Sequence, residues 1–121
     1  MARAVVLTAD LLFGSNVRGA LSAAGHEVRL AGAEGALRDA LVAGPADVVV
    51  VDLTHDPLLG VQAIAELRGE GFLTGVKLLG YYSHVEPGVR DLALAEDFDQ
   101  VVPRSRMARE GAEIVTSLVK T

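Results

Sequence analysis

Four short stretches hold nearly all the side chains with chemistry to offer: Thr8 to Asp10, Asp52 to Asp56, Gly80 to His84, and Arg104 with Ser105. Asp52 follows four consecutive valines, so its carboxylate stands where an apolar strand gives way to a loop. A carboxylate so placed can attack an electrophile, ligate a hard cation, or accept hydrogen bonds from nearby amides. Asp10 and Asp56 are the acids that could join it in holding a cation, and both also sit where helix caps and turns use aspartate. Arg104 offers a fixed positive charge. His55 and His84 are candidates for metal or acid–base work, but two loop histidines without a fixed third partner make no ligand set. The run Tyr81-Tyr82-Ser83-His84 contains two of the five aromatic residues and is a candidate recognition loop.

These stretches are positioned by apolar runs of strand length that alternate with helical patterns, the signature of βαβ units. Ala4 to Leu7 reads as the first strand. Phe13, Val17, Ala20, Leu21 and Ala24 then recur at helical spacing as far as Gly25, with Asp10 as the cap. His26 to Gly32 is a second strand, and residues 34–44 form a helix with Leu37, Ala40 and Leu41 on one face. Val48 to Val51 is apolar on both faces of the pleat, as a central strand covered by helices on both sides requires. Residues 58–71 form a third helix, 75–80 a fourth strand, 86–97 a fourth helix, and 99–103 a fifth strand. Residues 106–120 close the pattern with Met107, Gly111, Ile114, Val115 and Leu118 on one stripe.

Five βα units in 121 residues predict a single domain over residues 1–121: a three-layer, doubly wound α/β sandwich on a five-stranded parallel sheet in order 2-1-3-4-5. In such sheets ligands gather beyond the carboxyl ends of the strands, where strand order reverses. That places Asp10 and Asp52 as neighbours. With no cysteine the chain has no thiolate site or disulfide, which fits a reducing cytoplasm. The net charge of -5 argues against a nucleic-acid-binding surface, and no segment predicts a membrane span or a signal peptide. "TADLLFGSN" has one glycine, too few and too late to cradle a pyrophosphate.

The order of these words resembles the receiver domain of bacterial response regulators along essentially the whole chain. Residues 13–41 resemble the family's first helix, its "AAGHEV" turn and its second helix. "ADVVVVDL" resembles its phosphoacceptor strand, and "DFDQVVPRS" its last strand. The resemblance places Asp52 at the phosphoacceptor position and Gly60 eight residues later, where the family has glycine; the loop proline is displaced to Pro57.

The same resemblance exposes departures. The family's paired metal-binding acids fall on Thr8 and Ala9, its switch hydroxyl on Gly80, its aromatic or histidine switch on Val101, its lysine on Arg104, and the proline after that lysine on Ser105. Phosphoryl transfer to a carboxylate needs a clamp of Mg²⁺ and lysine on the transferring oxygens. Arginine is not an ammonium at close quarters, and without proline a cis peptide is disfavoured. The resemblance therefore implies a pseudo-receiver: a non-enzymatic, cytoplasmic signalling module that binds protein partners, with no cofactor and no magnesium. Asp52 is expected to be a structural acid held by amides or paired with Arg104. Alternatives are a flavodoxin-like small-molecule-binding domain using the Tyr81 to His84 loop, or a phosphorylatable receiver with altered metal ligands. Self-association as a homodimer is expected through the fourth and fifth βα units, on a face drawn from Val85, Val89, Leu92, Leu94, Val101 and Met107.

Overall fold

The computed structural model describes residues 2–83 and 88–120. Ten elements alternate along the described residues: β1 (Arg3–Leu7), α1 (Leu11–Ala23), β2 (Glu27–Ala31), α2 (Glu34–Ala43), β3 (Val48–Asp52), α3 (Pro57–Gly69), β4 (Lys77–Tyr82), α4 (Val89–Ala95), β5 (Gln100–Pro103) and α5 (Arg104–Val119). The strands form one sheet in the order β2-β1-β3-β4-β5, every pair parallel, as the sequence predicts. Parallel neighbours need crossovers, and each crossover here is a helix.

The pleat sends alternate residues of each strand to opposite faces, so two cores form. Ala4, Val6, Val48, Val50, Leu79, Tyr81 and Val102 pack against Phe13, Val17 and Leu21 of α1 and against Met107, Ile114 and Val115 of α5. Val5, Leu7, Val49, Val51, Leu53, Leu78 and Val101 pack against α2, α3 and α4 through Leu37, Leu41, Val61, Ile64, Leu67, Val89 and Ala93. All four valines of β3 are fully buried, which a strand covered on both faces requires. At Gly60 a β-carbon would come within 2.9 Å of Leu53 and 3.2 Å of Val51, so the glycine lets α3 lie close against β3.

Helix starts follow local chemistry. Asp10 accepts from the Phe13 amide at 3.0 Å to cap α1, and Asp56 accepts from the Leu59 amide at 3.0 Å to cap α3, with Pro57 in its first turn. Two of the boundaries that differ from the sequence reading bear on the carboxyl edge. β4 runs on through Tyr81 and Tyr82, which pair with Val102 and Pro103 of β5, so the tyrosines belong to the ladder and not to a loop. α5 starts at Arg104, directly after Pro103, two residues before the predicted start.

The predicted self-association face is also altered. Val89, Val101 and Met107 are buried, Val85 lies outside the described residues, and Leu92 and Leu94 of α4 are what that face exposes. Among the described residues no helix is long and apolar enough to cross a membrane.

Candidate functional site

The sheet's carboxyl edge brings Thr8, Asp10, Asp52 and Arg104 together in a chain of contacts. β1 and β3 pair in register, so their ends lie side by side, and both Thr8 and Asp52 continue the alternation that faces α1 and α5. The Thr8 hydroxyl donates to Asp52 Oδ2 at 2.6 Å and accepts from the Asp10 amide at 3.0 Å. Asp52 Oδ1 accepts from the Thr54 amide at 2.8 Å and from the Thr54 hydroxyl. Three internal donors therefore converge on one carboxylate, from residues two apart or from the adjoining strand. Such local side-chain bonds are what aspartate and threonine make at turns.

Arg104 does not pair with Asp52. Its guanidinium lies over the Phe13 ring, 4.2 Å from the centroid, and reaches Asp10 Oδ2 at 3.4 Å. The stacking and the half-exposed ion pair hold it above α1, and no cation among the described residues lies within ion-pairing distance of Asp52. Asp10 is itself divided, one oxygen capping α1 and the other facing Arg104.

The β3–β4 register pairs Asp52 with Tyr81, so Tyr81 shares Asp52's face of the sheet. Gly80 points to the opposite face, where a β-carbon would meet Leu53 at 2.9 Å and Phe98 at 3.1 Å. Tyr81 is completely buried, its ring 5.1 Å from that of Phe13, and its hydroxyl has no hydrogen-bond partner among the described residues. Burial pushes its phenol well above the ordinary range, and the Asp52 charge on the same face adds to the shift. A sealed ring cannot take part in recognition, which removes Tyr81 from the predicted loop. Tyr82 is half-buried against the α2–α3–α4 core, Ser83 is half-exposed, and His84 lies outside the described residues.

The remaining predicted positions are dispersed. Ala9 is exposed beside Thr8, Ser105 is exposed in the first turn of α5, and Val101 is buried on the face away from Asp52. No described peptide bond is cis. His55 is exposed, and among the described residues no three Asp, Glu, His or Cys side chains gather as a metal-binding group.

Sequence reasoning missed two features of this edge. Thr54, two residues after Asp52, carries the signature of a side-chain-to-backbone turn. Leu11 and Leu12 at the start of α1, and Leu58 and Leu59 at the start of α3, stand out in solvent at 77%, 77%, 53% and 60% exposure. Each pair immediately follows a capping aspartate or the proline after it, in the first turn of its helix. The four leucines stand in the first turns of the helices that follow β1 and β3.

No protein-family model matches the chain, and neither does any curated protein. Solved structures do. The chain superposes on the receiver domain of the Francisella response regulator 1452 with a TM-score of 0.84 at 16% identity, covering 99% of this chain and 98% of that one. It superposes on the signal receiver domain of NarL from Mycobacterium tuberculosis with a TM-score of 0.77 at 23% identity, covering 98% and 96%. A response regulator from Thermotoga maritima gives 0.84 at 17% identity, covering 98% of each chain. The fold is that of a receiver domain.

Proposed function

We propose that this chain is a signalling module of the pseudo-receiver kind, acting through protein contacts and not through phosphorylation of Asp52. The observation that carries this reading is that both Asp52 oxygens are engaged by Thr8 and Thr54, with no cation among the described residues within ion-pairing distance. A phosphoacceptor carboxylate has to present a free oxygen to phosphorus while a metal and a fixed cation neutralise the oxygens that gather charge.

The donor set does not fit a hard divalent cation. Magnesium prefers near-octahedral oxygen donors and binds through carboxylates with retained waters. Here Thr8 and Ala9 bring no carboxylate, Asp10 is spent on the α1 cap and Arg104, and Asp52 is spent on Thr8 and Thr54. We assign the chain no catalytic step. The exposed Leu11, Leu12, Leu58 and Leu59 suit an apolar protein partner seated over the carboxyl edge, where a phosphorylation signal would otherwise be read. Leu92 and Leu94 on α4 are the apolar residues available to a second copy, as the predicted homodimer needs.

The test is direct. The protein is incubated with acetyl phosphate and millimolar Mg²⁺ and its intact mass is measured beside that of Asp52→Asn. The expected result is no added phosphoryl group in either. An adduct on the parent chain that is absent from Asp52→Asn would overturn the reading and make the chain a phosphorylatable receiver.

A further inference from the structure

β2 ends the sheet, and its outer side has no partner strand among the described residues. In a parallel ladder the backbone groups of successive residues point alternately toward and away from the neighbouring strand. The Glu27 amide donates to the Ala2 carbonyl at 2.9 Å and the Ala31 carbonyl accepts from the Thr8 amide at 2.9 Å, so Glu27, Arg29 and Ala31 turn their backbone groups to β1. Val28 and Leu30 therefore turn theirs outward. An edge of this kind is a template for another strand, and proteins commonly blunt it with proline, lysine, a bulge or a covering segment. β2 has no proline or lysine, and its register with β1 is unbroken from Glu27 to Ala31. Glu27 and Arg29 are exposed and Val28 and Leu30 are only half-buried, so no described element covers the strand.

The charges on this edge select its occupant. Glu27 and Arg29 alternate with Val28 and so share the face of the sheet toward α2, where Ala31 is buried. Among the described residues Arg29 has no ion pair, and Glu27 has only Arg3 at 3.7 Å, with the Glu27 side chain 81% exposed. Let a second copy of β2 lie antiparallel with the two-fold axis at Val28. The two Val28 residues then form a hydrogen-bonded pair, and each Glu27 stands opposite Arg29 of the other copy as a close, non-hydrogen-bonded pair. Moving the axis to Arg29 sets arginine against arginine, moving it to Glu27 sets glutamate against glutamate, and moving it to Leu30 leaves both charges without a counterpart. One register alone matches the charges.

We propose that two copies of this chain pair through β2, antiparallel about Val28, into one sheet continuous across both copies and flanked by reciprocal Glu27–Arg29 pairs. The interface is isologous, as a two-fold dimer requires. A short strand buries little surface, so the dimer is reversible, with a dissociation constant in the micromolar to submillimolar range. This edge is separate from the α4 face with Leu92 and Leu94, because α4 packs on β5 at the other end of the sheet. It does not involve Asp52.

The experiment is sedimentation equilibrium of the full chain from about 1 μM to about 1 mM, where a monomer–dimer equilibrium is expected. Arg29→Glu and Glu27→Arg each set like charges opposite one another and are expected to weaken the dimer about tenfold or more. An equimolar mixture of these two variants regains opposite charges at every pair, so it is expected to form a heterodimer about as strong as the parent dimer. Val28→Pro removes the outward N–H and leaves the ladder to β1 intact, and is expected to be monomeric. The two charge changes lie on exposed side chains and are expected to leave the melting temperature within a few degrees of the parent's, so they test the interface even if the proline variant unfolds. A parent chain that stays monomeric throughout, a dimer indifferent to both charge changes, or a mixture of the two variants that stays monomeric would overturn the proposal. A dimer lost in Leu92→Ser but kept in Arg29→Glu would assign the contact to α4 and overturn it too.

Discussion

The Thr8 hydroxyl meets Asp52 Oδ2 at 2.6 Å, and the same hydroxyl accepts the amide of Asp10 at 3.0 Å. One side chain thereby ties the end of β1 to the end of β3 and sets the start of α1. A carboxylate at the first of these positions could not do this, since it would repel Asp52 unless a cation lay between them. With threonine at this position the corner is completed by hydrogen bonds from the chain itself.

This relationship predicts coupled stabilities. Thr8→Val keeps the shape and removes the donor, and is expected to cost about 1–2 kcal/mol because a charged acceptor loses its bond. Asp52→Asn retains an acceptor and is expected to cost less. Denaturant midpoints of both single variants and the double variant provide the check: the double should cost about 0.5 kcal/mol or more below the sum. Strict additivity would show that the hydroxyl and the carboxylate act independently.

Tyr81 supplies a second prediction, with a sign that can be worked out. Its phenol is raised in the folded protein, chiefly by burial, so between the ordinary value and the raised one the folded chain keeps a proton that the unfolded chain loses. This contribution is intact below about pH 10 and is lost as pH rises beyond it. Stability of the parent should therefore fall in alkaline solution more steeply than that of Tyr81→Phe. At neutral pH, Tyr81→Phe is expected to be neutral or to stabilise by about 1 kcal/mol, because it removes a buried hydroxyl without a partner. A loss of more than that would mean the hydroxyl is bonded in solution.

The fold was legible because its signals are local and repeated. The all-buried Val48 to Val51, the stripes of α1 and α5, and the capping aspartates Asp10 and Asp56 each declare themselves within a few residues. The end of β4 was not legible, because glycine weakens a strand and "GYY" reads as its termination. What overrides that reading is nonlocal: Gly80 has to be small beside Leu53 and Phe98, and Tyr81 and Tyr82 are held by ladder partners on β3 and β5. Asp52 itself was legible as an acid accepting a nearby amide. Its Thr8 donor and Arg104's preference for Phe13 were not, since both contacts join residues far apart in sequence.

Arg104 should behave as a surface residue held by stacking. Arg104→Lys keeps the charge but loses the planar group over Phe13, and is expected to cost about 0.5–1 kcal/mol. Asp10→Asn keeps a capping side chain for α1 and removes only the ion pair, whose half-exposed geometry makes it worth less and sensitive to salt. Melting temperatures at low and high ionic strength separate the two. A strongly salt-dependent Arg104→Lys effect would count against stacking.

His26 yields the last prediction, from hydrogen-bond accounting. The imidazole, in the turn between α1 and β2, is 8% exposed and joins the residue before β1 to α5: Nδ1 accepts from the Ala2 amide at 3.1 Å, and Nε2 lies 2.9 Å from the Thr116 hydroxyl on α5. Thr116 has one hydroxyl proton and donates it to the Ala112 carbonyl at 2.8 Å. Its oxygen can therefore only accept from His26, which fixes the ring as neutral with the proton on Nε2. Both nitrogens are engaged, so His26→Ala leaves the Ala2 amide without its partner and opens space between β1 and α5; a cost of about 2–3 kcal/mol is expected. Thr116→Val removes one bond of the pair and should cost about 1 kcal/mol. Nitrogen chemical shifts of the ring report the tautomer directly. A ring protonated on Nδ1 would contradict the assignment, and a His26→Ala variant as stable as the parent would show that the bridge carries no load between β1 and α5.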